Sequence, residues 1–289
     1  MVTKIVGDIM KFTKMHGCGN DYIFVNCMKE TSPHLEAMAK ALSDRHFGIG
    51  SDGLILIGSS MVADYSMRMF NSDGSVGEMC GNAIRCLGKY VYEELYTCKT
   101  TITVETLAGI KTLFLTVRQN DVIDVMVDMG VPEFEASKIP VISETPQVIS
   151  EPINIIDRDF IMTWVSMGNP HAVLIVDNVA KIDIGKYGMA LEHNLRFPKR
   201  TNVEFVQVVD SNNIKLRVWE RGAGETLACG TGACAATMAC ITNQLTDNTV
   251  FVKCLGGVLK VQYMPEKKLV FMSGNAVKVY DGEIDLKNS

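Results

Sequence analysis

One feature constrains this chain more than any other: parts of it recur after 149 residues. Gly19-Asn20 returns as Gly168-Asn169, each followed by a strand-like run. Arg68-Met69-Phe70 and Arg217-Val218-Trp219, also 149 apart, each lead toward a cysteine, and Cys80-Gly81 returns as Cys229-Gly230 (229 − 80 = 149). One match of this kind is chance; three at one offset predict two similarly folded halves. The Pro-containing stretch "VPEFEASKIPVISETPQVISEP" is expected to join them. Cys80 and Cys229 are then symmetry mates, expected to face each other across a cleft.

Most of the chain reads as short β-branched or alternating runs bounded by turn residues: "DYIFVN", "GLILIG", "DYSMRMF", "TITVETLAG", "DVIDVMVDMG", "HAVLIVDN", "NVEFVQVV", "IKLRVWER", "VKCLGGVLKVQY" and "KLVFMSG". Helices are few. "LEAMAKALSDR" is one, and two more follow Cys80 and Cys229. The first of these repeats apolar residues at Ile84, Leu87, Val91 and Leu95. The second, "GTGACAATMACI", is small on nearly every face, as suits an enclosed helix.

Composition excludes several function classes. Charged residues are 21% of the 289 and the formal charge is -5, with no basic patch for nucleic acid. The longest apolar runs, such as "AVLIV", are too short for a membrane span. Nine cysteines is an odd number, and "MVTKIVGDIM" does not read as a secretory leader, so a reducing cytoplasm is expected.

A lone cysteine is most often a small buried hydrophobe. Cys86, Cys234 and Cys240 fit that description inside their helices, and Cys18, Cys27, Cys98 and Cys254 are also read as structural. Cys80 and Cys229 differ, because each stands where a helix begins and is followed by glycine. Unpaired N–H groups there favour a thiolate, so both thiols are expected to ionise below the usual pKa of about 8.5. The same donors hold carboxylates. Two poised thiols at one carbon make an acid–base pair: a thiolate removes a proton from one face and a thiol returns one to the other. The loops "GND", "FNSDG", "GNPH", "RTNV" and "ERGAGE" supply Asn, Glu and Arg to hold a carboxylate and an amine. A zinc or thiol-redox module is the contrasting class; no C-x-x-C occurs, and no metal is expected. Of the histidines, His16 and His46 are assigned structural roles, and His34 and His193 the surface.

These motifs, "MHGCGNDYIFVN", "RHFGIGSDGLILIG", "MRMFNSDGSVGEMCGNAIRC", "VSMGNPHAVLIVDN", "RTNVEFVQVV" and "LRVWERGAGETLACGTGACAA", together resemble the diaminopimelate epimerase family and stand in its order. The resemblance covers nearly the whole chain. It implies interconversion of LL- and meso-diaminopimelate, for lysine and peptidoglycan, with no cofactor, and a homodimer. A relative acting on proline or hydroxyproline is the nearest alternative, against which the full motif set argues. By motif, Cys80 and Cys229 are the acid–base pair, assisted by His171 and Glu220. Asn20, Asn71, Asn169, Asn202, Glu220 and Arg221 line the substrate, and Gly81, Asn82, Gly230 and Thr231 offer donors to its reacting carboxylate. The chain departs from the pattern at Gly53, where some members carry Gln, and at Thr231, where Ser is common. The implied fold is α+β: two pseudo-symmetric domains, each a mixed β-sheet curled into a barrel around a central α-helix. The expected limits are 1–128 plus 277–289 for the first and 129–276 for the second.

Overall fold

The computed structural model describes residues 9–28, 33–95 and 97–286, apart from the side chains of 33 and 34, so the expectation for His34 lies outside it. The chain forms two compact units. One ends at Val127 and takes up the chain again from Gly274; the other runs Asp128–Ser273.

The first unit contains β1 (Ile9–Gly17), β2 (Asn20–Asn26), α1 (Pro33–Ser43), β3 (Gly53–Gly58), β4 (Tyr65–Asn71), β5 (Val76–Gly77), α2 (Gly81–Glu93), β6 (Thr101–Thr106), β7 (Gly109–Arg118) and β8 (Asp121–Gly130). The second contains β9 (Glu151–Ile155), β10 (Arg158–Ser166), β11 (Pro170–Ile175), α3 (Ile184–Glu192), β12 (Asn202–Asp210), β13 (Asn213–Glu220), β14 (Gly224–Thr226), α4 (Gly230–Thr242), β15 (Thr249–Cys254), β16 (Gly257–Met264) and β17 (Leu269–Gly274). The chain then returns to the first unit as β18 (Val277–Asp285).

The two units repeat one pairing pattern. In the first, β18, β1 and β2 run antiparallel, β2 pairs parallel with β3, β3 antiparallel with β4, β4 parallel with β6, and β6, β7 and β8 antiparallel. The second repeats this from β9 through β10, β11, β12, β13, β15 and β16 to β17. Even the register follows: Tyr22 faces Gly53, and His171 faces Asn202, each 149 residues later. The fold is α+β, as expected.

Each sheet wraps a buried helix. α2 touches β1 and β2 near one end of the strand order and β7 near the other. α4 touches strands from β10 to β16. Ten of the thirteen α4 residues are buried, which its small side chains allow. Ile84, Leu87 and Val91 are fully buried on α2, but the helix ends at Glu93, before Leu95.

The period of two along the strands sorts side chains between this inner helix and an outer one. Ile23 and Val25 join Leu54, Leu56 and Phe70 against Leu35, Ala39 and Leu42 of α1. Phe24 points the other way and stacks on Tyr90 of α2. In the second unit Ala172, Leu174, Val203 and Phe205 pack outward with Tyr187 and Leu191 of α3. His171, Asn202 and Glu204 therefore point inward.

Helix α3 and strands β1, β7, β9, β10 and β18 were not expected from the sequence. Gly185 and Gly188 dilute the α3 pattern, yet Gly188 is required: a Cβ there would lie 2.7 Å from the Trp219 side chain. The stretch expected to join the halves packs on the second unit, with Ile139 and Val148 buried.

Asp21 pins the loop after α1 to β2. It pairs with Lys14 at 2.7 Å and with Arg45 at 2.7 Å. Burial pushes its carboxyl up, but the bonds from Arg45 and Lys14 outweigh burial and hold it at about 2. A depressed carboxylate stabilises the fold above its unfolded pKa, near 4, and stops doing so as the pH falls through about 2. Asp21→Asn is thus expected to cost on the order of 1 kcal/mol at neutral pH, with the cost vanishing as the pH falls below about 2. Chemical denaturation of both proteins across that range measures the difference.

Candidate active site

Cys80 and Cys229 each occupy the N-cap of the central helix of their unit, with extended backbone at φ -128° and -114°. The first-turn N–H groups of any helix lack intrahelical partners. Here they belong to Gly81 and Asn82 on α2, and to Gly230 and Thr231 on α4. The two thiols are nonetheless held differently.

Around Cys80, the Tyr22 hydroxyl stands 3.0 Å from Sγ and 2.7 Å from Oδ1 of Asn20. Asn20 and Tyr22 open β2 directly after a tight turn in which Cys18 and Gly19 both have positive φ (53° and 80°). Arg85, on α2 itself, is fully buried and donates to the Gly81 carbonyl at 3.0 Å and to Oδ1 of Asn82 at 2.8 Å. Asn82 thus has its side-chain oxygen engaged by Arg85.

Around Cys229 the contacts form a chain. Sγ accepts from the Gly232 N–H at 3.3 Å and lies 3.4 Å from the Thr231 hydroxyl. Asn169 Nδ2 donates to that hydroxyl at 3.3 Å. Asn169 Oδ1 lies 2.9 Å from Nε2 of His171, whose Nδ1 lies 2.7 Å from Oε1 of Glu204. Glu204 is fully buried and its Oε2 has no hydrogen-bond partner among the described residues.

The expected lowering of both thiol pKa values does not hold at Cys229. Burial pushes this thiol well above its usual range, and the nearby charges of Glu220 and Glu204 push it further. The bonds from Thr231 and Gly232 oppose this and lose. A helix terminus offers a fraction of a charge; desolvation and two carboxylates outweigh it.

The remaining predicted residues fall into smaller groups. Asn202 accepts the Arg221 N–H at 2.9 Å and donates to the Pro170 carbonyl at 3.2 Å. The Arg221 guanidinium donates to the Lys199 carbonyl at 3.1 Å. Glu220 accepts from Thr226. In the first unit, the Asn71 amide donates to Ser75 at 2.9 Å within its own turn. At Gly53, a Cβ would stand 2.4 Å from the Phe70 carbonyl oxygen, so this backbone has no room for the Gln carried by other sequences. Cys18, Cys86, Cys234, Cys240 and Cys254 are buried, Cys27 is half-buried and Cys98 is exposed. Among the described residues, no three His, Cys, Asp or Glu side chains cluster as metal ligands.

Two neighbours of the thiols, Tyr22 and Glu204, were missed. The 149-residue offset contained the signal for the first, because Tyr22 is the counterpart of His171 (171 − 149 = 22). Tyr22→Phe is expected to remove a hydrogen bond worth about 1.5–3 kcal/mol to a thiolate. Without that donor the Cys80 thiolate forms less readily. The pH dependence of Cys80 alkylation measures it; an unchanged profile refutes the contact.

A family model described as diaminopimelate epimerase matches residues 12–135 and 163–279. The diaminopimelate epimerase of Agathobacter rectalis is 55% identical over 284 residues, covering 96% of this chain and all of that protein. That of Methanococcus maripaludis is 53% identical over 277 residues, covering 96% and 100%. Among solved structures, a hydroxyproline epimerase from Agrobacterium vitis superposes with a TM-score of 0.72 at 12% identity, covering 97% of this chain and 92% of that one. A Bacillus anthracis phenazine biosynthesis protein of the PhzF family gives 0.71 at 18%, covering 96% and 99%. At such low identities the structural likeness concerns the fold alone.

Proposed function

This chain belongs to the diaminopimelate epimerase family, and from that premise we propose that it interconverts LL- and meso-diaminopimelate, with Cys80 and Cys229 as acid and base. One observation carries the assignment. The two thiols occupy the same N-cap position at the same register of two like-folded units, each beside an inward Asn and a hydrogen-bonding ring.

The reaction needs a base on one face of the α-carbon and an acid on the other. A thiolate of one cysteine takes the α-proton, and the thiol of the other delivers one, so the centre inverts. The carbanionic intermediate spreads its charge into the α-carboxylate. First-turn N–H groups of Gly81, Asn82, Gly230 and Thr231 would hold that carboxylate. Asn20, Asn71, Asn169, Asn202, Glu220 and Arg221 would bind the rest of the substrate, and His171 and Glu220 would support the thiols. The reaction needs no added cofactor or metal. We further propose a cytoplasmic homodimer.

The raised Cys229 thiol suits the acid role in the ligand-free enzyme. Incubation with LL-diaminopimelate in D₂O, without added cofactor, tests the whole reading. Meso product carrying one α-deuterium is expected. Unchanged LL isomer with no deuterium refutes the assignment.

A further inference from the structure

We propose that Glu204 is a positioning residue for the Cys229 half of the site: it shares one proton with His171 and thereby keeps an N–H on Nε2, which orients Asn169, Thr231 and the Cys229 thiol. The inference rests on the proposed epimerase activity and adds a residue to its machinery.

The place of Glu204 is the first argument. It lies on the inward face of β12, against the central helix, where an apolar side chain is the ordinary choice. Its counterpart in the first unit is Ile55 (204 − 149 = 55), also fully buried. A carboxyl in such a place costs several kcal/mol unless it is paired. Here the pairing partner is His171, at 2.7 Å. A Cβ on Gly232 would come within 2.8 Å of Glu204 Oε1 and 3.3 Å of Cys229 Sγ, so carboxyl and thiol flank the same helical turn.

Proton counting is the second argument. The ionisable groups acting on Glu204 are His171 and Glu220, and those acting on Cys229 are Glu220 and Glu204. Burial pushes the Glu204 carboxyl up, and His171 pulls it down. Both side chains are fully buried, which favours a pair with no net charge: one proton lies between Oε1 and Nδ1 and a second on Nε2, drawn as acid and imidazole or as carboxylate and imidazolium. In both forms Nε2 keeps its own proton and donates to Oδ1 of Asn169, 2.9 Å away. The amide is then fixed with Nδ2 toward Thr231, whose hydroxyl proton is left for the sulfur. His171 is on this account a rigid donor, rather than the base that meets substrate.

The test uses full-length protein labelled with ¹⁵N-histidine, with a His171→Gln spectrum to assign the ring. The expected spectrum has protonated Nε2 and a far-downfield proton on Nδ1. A ring with bare Nε2 overturns the proposal, and this result needs no Glu204 variant to fold. Glu204→Gln is expected to abolish the downfield signal and lower kcat by at least about tenfold, with KM nearly unchanged. Glu204→Gln with wild-type kcat also overturns it. If the unmodified protein shows no exchange in D₂O, the functional reading fails, while the ring spectrum still decides the His171–Glu204 bond.

Discussion

Cys80→Ala and Cys229→Ala are each expected to lower epimerisation by roughly 10²–10⁴-fold in both directions, the usual contribution of a positioned acid or base. The reason is stereochemical. With one thiol left, a proton removed from one face can return only to that face. Each variant should therefore take up α-deuterium from one isomer with retention, and none from the other. The two variants should have opposite preferences. Mass spectrometry combined with chiral separation of LL and meso forms reads both outcomes. Near-normal inversion by either variant would show that its cysteine is dispensable.

Gly232→Ala is expected to lower kcat by about a hundredfold, the cost of misplacing a catalytic group by about an ångström. Alanine normally favours a helix over glycine by about 1 kcal/mol. At this position the added methyl would stand 2.8 Å from Glu204 Oε1, 3.2 Å from Cys229 Cβ and 3.3 Å from its sulfur. Overpacking of that kind costs about 1–3 kcal/mol, so the clash outweighs the helix preference. Thermal unfolding should fall by a few degrees, and activity far more. Gly185→Ala on α3 is the control, because its nearest contact would be an ordinary 3.7 Å from Asp183. That variant should keep wild-type activity. A Gly232→Ala protein that turns over normally would mean that the spacing of Glu204 and Cys229 does not matter.

The duplication is the most informative feature of the sequence. Two repeated dipeptides and a third, looser correspondence at one offset identified the halves and made Cys229 the counterpart of Cys80. Applied further, the same offset carries α1 onto α3 and Tyr22 onto His171. Local pattern reading missed α3 because Gly185 and Gly188 weaken its helical signal, although Gly188 is there to admit Trp219. It missed β10 because "IMTWVS" is apolar on both faces, as a strand between two helical layers must be. Glu204 was hidden inside "NVEFVQVV", where alternation looked like that of any half-exposed strand. Only the burial of both faces of β12 turns its carboxyl from a surface group into a buried one.

What the sequence determined by itself was the repeated fold and the station of each thiol. Both follow from short-range rules: an extended residue before a glycine begins a helix, and alternation sorts strand faces. The ionisation of Cys229 was decided only by the tertiary structure. Its surroundings come from β11, β12 and β13, and long-range burial with two carboxylates outweighs the local pull of the helix terminus.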